Sequence, residues 1–162
     1  MSEAKAGPAI ARETRAKIDA EIGKYPQPRG ALLPALHLVQ AERGWIAPDQ
    51  AAELATIFGI RPVEVMEVVS FYNMFHAEPQ GRHHVYVCTN LPCSLRGARR
   101  LLAELESHLG LKAGETTRDG RITLGHEECL GACAYAPMLR VDAVYHENLD
   151  ADKARQIVDE LR

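Results

Sequence analysis

Four cysteines in two close pairs, with none left over, constrain this chain more than any other feature. Cys88 and Cys93 stand in "VYVCTNLPCSLRGARRLL" with four residues between them. Cys129 and Cys133 stand in "EECLGACAYAP" with three between them, and 35 residues separate the pairs. Four cysteines among 162 residues are too few for a disulfide scaffold. "MSEAKAGPAIARETR" lacks the apolar centre of a secretory signal, so a cytoplasmic, reducing setting is expected. Metal ligation or redox chemistry is then the better reading of the thiols.

The spacing narrows the metal. Structural zinc sites usually draw on C-x2-C knuckles, and neither pair has that spacing. A 2Fe-2S cluster takes four thiolates, two for each iron, which suits two loops that each present two sulfurs. Gly131, inside the second pair, lets the backbone come close and aim N–H groups at sulfur. Ser94 reads as the cap of a helix whose partial positive charge beside Cys93 would favour thiolate over thiol. Thioredoxin-type exchange is disfavoured, because that chemistry uses C-x2-C at a helix start. On spacing alone a 2Fe-2S cluster leads. A zinc-stabilised, non-redox interaction module and buried or redox-active thiols stay open.

Around the cysteines the chain shows two periodicities. From Ala11 to about Phe75 apolar residues recur three and four apart (Ile18, Ile22, Tyr25; Leu32, Leu36, Val39; Val65, Val68, Val69, Tyr72), which predicts helix packed on helix. Breaks at "GKYPQPRG", "RGWIAP" and "FGIRP" divide this half into four short helices, with Gly closing one and Pro opening the next. Lys24, Tyr25 and Pro26 read as a helix ending. Trp45, Phe71, Tyr72, Met74 and Phe75 are expected in the core rather than in a flavin pocket, with some of them open to a partner surface.

The helical period stops at "AEPQGRHH", and a boundary near Pro79 is expected. Beyond it the order reads β-α-β-β-β-α. "HHVYVC" is a strand, a helix carries Leu95, Ala98, Leu102, Leu105 and Leu109 on one face, and "DGRITLG" and "MLRVDAVY" supply strands with a reversal near Asp142. Asp150 caps a closing helix. A small sheet carrying helices, an α+β arrangement, follows. The expected organisation is a mobile N-terminus (1–11), a four-helix bundle (12–78) and a cysteine-bearing domain (79–162).

Charge and hydropathy remove other classes. A formal charge of -3, from 19 basic and 22 acidic residues intermixed, offers no broad cationic face for nucleic acid. No stretch is apolar for long enough to span a membrane. Arg96, Arg99 and Arg100 form a basic patch after Cys93 that suits an acidic partner surface or a solvated helix face equally. His83, His84 and His126 lie near the cysteine loops and would allow a mixed Rieske-like site, but with four cysteines present they read as surface histidines.

The segments "KYP", "LPALHLVQAERGWI", "VVSFYNMF", "GRHHVYVCTNLPCSLRGA", "GETTRDGRITL" and "ECLGACAYAPM" resemble the thioredoxin-like 2Fe-2S ferredoxin family that supplies the E-type subunit of NADH:quinone oxidoreductase (respiratory complex I). The resemblance runs from about residue 12 to the end of the sequence and includes all four cysteines. It implies an N-terminal helical bundle followed by a thioredoxin-like (α/β) 2Fe-2S domain. Cys88, Cys93, Cys129 and Cys133 are then the iron ligands of one 2Fe-2S cluster, with catalytic residues on this chain not expected.

FMN and NADH are expected on a partner, an NADH-binding subunit of the F type that also bears a 4Fe-4S cluster, next to a larger iron-sulfur subunit. No G-x-G-x-x-G turn follows a strand here, in keeping with that division. The complex would place the chain peripherally on the cytoplasmic face of the inner membrane. The same module occurs in NAD-linked formate dehydrogenases and in bidirectional and bifurcating hydrogenases. Ala136-Pro137 stands where thioredoxin-like folds often carry a cis proline, and the isomer is left open.

Overall fold

The computed structural model describes residues 9–162. The chain divides into two compact units, one ending at Pro79 and the other running Gln80–Arg162.

In the first unit four α-helices follow one another: α1 (Arg12–Ile22), α2 (Leu32–Arg43), α3 (Pro48–Phe58) and α4 (Pro62–Phe71), with a 3-10 turn at Pro28–Ala31. Pro48 and Pro62 open their helices, where a missing N–H costs nothing. Gly44 and Gly59 close α2 and α3 in the left-handed conformation that glycine adopts without penalty. Ile18, Leu36, Val39, Leu54, Val65 and Phe75 form the core between the helices. Gln50 is polar and fully buried but satisfied: it accepts from the Ala47 N–H (3.2 Å) and donates to Glu42 (3.2 Å).

Two expectations need correcting in this unit. Residues 1–8 of the segment read as mobile lie outside the described residues, but residues 9–11 are held. Ile10 is buried, its N–H donates to Glu53 (3.1 Å), the Ala11 N–H donates to Glu42 (3.1 Å), and Arg43 donates to the Ala9 carbonyl (3.0 Å). Of the aromatic group assigned to the core, Phe75 is buried and Tyr72 packs against it, whereas Phe71 and Met74 are exposed. The helix ends at Phe71, so the helical spacing that placed these residues on an inner face no longer applies beyond it.

The second unit is α+β. Its strands are β1 (His83–Cys88), β2 (Ile122–Glu127), β3 (Leu139–Val141) and β4 (Val144–His146), in the sheet order β2-β1-β3-β4. β1 and β2 run parallel, with Tyr86 opposite Gly125 and Cys88 opposite Glu127. β3 is antiparallel to β1 and β4 antiparallel to β3, turning at Asp142 with φ of +52°. Between β1 and β2 lie the short helix α5 (Leu91–Leu95) and α6 (Ala98–Leu109), and α7 (Ala151–Glu160) closes the chain. As expected, Asp150 caps α7 by accepting the Lys153 N–H at 2.9 Å.

Strand alternation sends Val85, Val87, Leu124, Leu139 and Val141 to the face that packs on Leu101 and Leu105 of α6 and Ala154 and Val158 of α7. The opposite face carries Tyr86, Gly125, Glu127 and Arg140. Gly125 is required there: a Cβ at this position would stand 2.5 Å from Cε1 of the Tyr86 ring. The single amphipathic helix expected after Cys93 is two helices. Gly97, at φ of +95°, breaks the run and caps α6, so Leu95 is left 79% exposed and the buried face is Ala98, Leu101 and Leu105. No helix among the described residues is long and apolar enough to cross a membrane.

Two outcomes follow from these contacts. Gly125→Ala should push the Tyr86 ring aside and lower unfolding stability by about 1–3 kcal/mol, read by denaturant titration. His83 donates through Nδ1 to Asp142 (2.9 Å) and through Nε2 to the Arg162 backbone oxygen (3.0 Å), and the Asp142 bond leads in raising its pKa above the ordinary 6.5. Burial opposes ionisation of Asp142, but hydrogen bonds from His83 and the His84 N–H outweigh it and hold the carboxyl below 3.8. The His83 contribution is therefore complete below pH 6.5 and lost as pH rises through the raised value, while that of Asp142 fades only as pH falls through its lowered one. Unfolding curves across this range should lose the upper dependence in His83→Gln, and an NMR titration should place the imidazole above 6.5 in the unaltered chain.

Candidate metal centre

Parallel strands end at the same edge of a sheet, and β1 and β2 each run into a cysteine loop there. Cys88 is the last residue of β1 and Cys93 lies in α5. Cys129 follows β2 by two residues, and Cys133 opens a 3-10 turn at Cys133–Tyr135. Hydrogen bonds tie the two loops together. The Thr89 N–H donates to the Glu127 carbonyl (2.9 Å) and the Cys88 N–H to the Met138 carbonyl (3.1 Å), while within the first loop the Ser94 hydroxyl donates to the Thr89 carbonyl (2.8 Å). The second loop is braced in turn from the segment before α7, by Asn148 N–H to the Tyr135 carbonyl (2.8 Å) and Leu149 N–H to the Pro137 carbonyl (3.0 Å). The Ala136-Pro137 bond is cis.

The four thiols are unlike one another. Cys88 and Cys93 are buried and Cys129 and Cys133 exposed, and all four are free rather than disulfide-bonded. Burial and the neighbouring Cys88 push the Cys93 thiol up to about 11, with Cys133 close enough to add to the effect. The expected thiolate-favouring helix end is therefore corrected. Ser94 lies inside α5, which starts at Leu91, and desolvation together with a second thiol outweighs any dipole. Among the described residues no three or more His, Cys, Asp or Glu side chains are gathered around the position of one metal ion.

The donor set suits a 2Fe-2S group, which takes two thiolates from each side of a core wider than one ion. Gly131, at φ of +78°, turns its N–H onto Cys129 Sγ at 3.3 Å, as its place in the sequence led one to expect. The Met138 N–H is directed at Cys93 and favours its thiolate. Such N–H donors offset sulfur charge in cluster sites. Deprotonating the buried Cys93 needs a compensating positive charge, which a metal centre held there would supply.

The histidines stand apart. His83 is engaged with Asp142 and Arg162, His84 is half-buried with a pKa lowered by desolvation, and His126 is exposed on a shallow surface with Thr89, Arg99, Leu102 and Glu128. Arg96 and Arg100 line a separate groove with Glu104, Asp150 and Asp152, so acidic side chains share that side of the patch.

Sequence reading missed the group on the far face of the sheet. Arg140 grips Glu127 through Nε to Oε2 (3.1 Å) and Nη2 to Oε1 (2.6 Å), and its guanidinium lies 4.4 Å from the Tyr86 ring centre. Only the strand register could have revealed it.

The model of the thioredoxin-like [2Fe-2S] ferredoxin family matches residues 18–162. An E-type subunit of NADH-quinone oxidoreductase from Rhizobium meliloti (strain 1021) is 43% identical over 148 residues, covering 91% of this chain and 88% of that one. The E-type subunit of NADH-quinone oxidoreductase from Mycobacterium tuberculosis (strain ATCC 25618 / H37Rv) is 43% identical over 150 residues, 91% of this chain but 60% of that one. Among solved structures, the NAD+-reducing [NiFe]-hydrogenase in its air-oxidized state superposes with a TM-score of 0.70 at 26% identity, over 80% of this chain and 22% of that chain. With cysteines, loops and relatives in agreement, this chain belongs to the thioredoxin-like [2Fe-2S] ferredoxin family.

Proposed function

We propose that the chain holds one 2Fe-2S cluster on Cys88, Cys93, Cys129 and Cys133 and exchanges single electrons with the FMN of a partner NADH-oxidising subunit in an NADH:quinone oxidoreductase. The observation that carries this reading is the parallel register of β1 and β2, which delivers both cysteine pairs to one edge of the sheet. Family membership favours iron-sulfur over a structural zinc ion.

When bound, the cluster supplies one-electron chemistry beside a flavin that accepts hydride two electrons at a time. The chain's own residues hold and shield it. Cys88 and Cys93 close the inner side, where water is excluded, and Cys129 and Cys133 leave the outer side open. Leu91 (69% exposed), Leu95 and Tyr135 are apolar and exposed around that opening, the kind of surface a partner protein covers. That partner is the FMN- and 4Fe-4S-bearing NADH-binding subunit, with a larger iron-sulfur subunit alongside and a peripheral position on the membrane's cytoplasmic face. A second reading, the equivalent subunit of an NAD-linked hydrogenase or formate dehydrogenase, draws on the likeness to the NAD+-reducing hydrogenase. The relatives at 43% identity favour the first.

Cys129→Ser should abolish or reshape the EPR spectrum of the dithionite-reduced, anaerobically purified chain, and an unchanged 2Fe-2S signal would remove Cys129 from the ligand set. The isolated chain should oxidise NADH no faster than buffer with an artificial acceptor, and turnover should appear only when the flavoprotein partner is added. Turnover without that partner contradicts the assignment.

A further inference from the structure

We propose that Glu127 and Arg140, two opposed charges held at the root of both cysteine loops, each shift the one-electron potential of the centre, in opposite directions and by nearly equal amounts. The inference rests on the ligand assignment proposed above.

Geometry places the pair where it would act. Glu127 is the last residue of β2, opposite Cys88 and two positions before Cys129. Arg140 lies on β3, two positions after Met138, whose carbonyl holds the Cys88 N–H and whose own N–H is directed at Cys93. The pair therefore ties together the two ends of the 128–138 loop, and it does so across β1, over Tyr86. Every nitrogen of the guanidinium is used: Nε and Nη2 on Glu127, and Nη1 on the Asp142 carbonyl at 2.7 Å. Gly125 makes room for the ring beneath.

Shielding makes the charges count. The two side chains are 20% and 14% exposed, which makes this the ion pair with both partners best shielded among the described residues. The other pairs near the surface are screened by water and salt, and this one is screened least. Such a pair adds little net stability, because desolvating it offsets most of the attraction. Its two charges nevertheless act on any group whose own charge changes nearby. Reduction adds one negative charge to a cluster already anionic, so Glu127 opposes it and Arg140 favours it. Together they nearly cancel, and removing either one exposes the other. A unit charge about 10 Å away, at an effective dielectric of about 20, shifts a one-electron equilibrium roughly tenfold.

The test is an EPR-monitored redox titration, with dithionite as reductant, of the cluster-loaded full chain and of Glu127→Gln, Arg140→Gln, Arg140→Lys and the Glu127→Gln/Arg140→Gln double variant. Thermal unfolding of each is followed in parallel. Glu127→Gln should raise the ratio of reduced to oxidised centre at fixed potential by roughly tenfold, about 59 mV for one electron. Arg140→Gln should lower it by a similar factor, and the double variant should return close to the unaltered value. Arg140→Lys keeps the charge and loses the paired grip, so it should lose stability while holding the potential. A purely structural clamp would lower stability in all the variants without moving the potential in opposite senses. Shifts in the same direction, or under about twofold in both single variants, overturn the proposal. If Arg140→Gln does not retain a cluster, Glu127→Gln and Arg140→Lys decide it: a raised and an unchanged potential support it, and any other result overturns it. An unaltered chain that shows no dithionite-reducible 2Fe-2S signal overturns the ligand assignment first, and this inference with it.

Discussion

Two parallel strands leave their carboxyl ends at the same edge of a sheet, and the centre described above depends on that geometry. Cys88 ends β1 opposite Glu127, which ends β2, so the chain enters one cysteine loop beside the other. A parallel pair needs a long crossover, and here α5 and α6 fill it, with α6 buried against the sheet through Leu101 and Leu105. The helix that packs the core is thus also the reason the two pairs of thiols, 35 residues apart in sequence, can meet.

The same arrangement divides the thiols into an inner and an outer pair. Within the inner pair Cys93, buried beside Cys88, is costly to ionise, its thiol pushed up to about 11. The outer pair is exposed and has a backbone N–H on one of its sulfurs. Backbone N–H donors thus reach sulfur on both sides of the site, Met138 toward Cys93 and Gly131 toward Cys129, while burial weighs on the inner side. The four free thiols and the family match together favour iron-sulfur chemistry at this site.

Much of this was legible in the sequence, and where it was not the reason is physical. Proline and glycine act locally, so the breaks before Pro48 and Pro62 and after Gly44 and Gly59 could be read without knowing what packs on what. Asp150 announced α7 in the same way, and Gly131 its N–H to sulfur. Gly97 was equally visible, but an amphipathic run on both sides of it outweighed a single residue, and the split into α5 and α6 was missed. Long-range effects left no trace. Ile10 is a lone apolar residue with no periodic partners, yet Glu42, Glu53 and Arg43 pin its neighbourhood. The Cys93 thiol depends on Cys88, Cys133 and depth, none of which is written next to it. Glu127 and Arg140 meet over a third strand, so their pairing belongs to the sheet and not to either segment.

Gly125 has a role larger than its size. Side chains alternate along a strand, so sliding β2 by one residue against β1 would bring Leu124 or His126 beneath the Tyr86 ring, where only a hydrogen fits. It would also exchange Glu127 for His126 or Glu128 opposite Cys88. The glycine therefore works as the notch of a lock, accepting one alignment of the strands and refusing its neighbours. The alignment that brings the two cysteine loops side by side thus has its guard in a residue without a side chain.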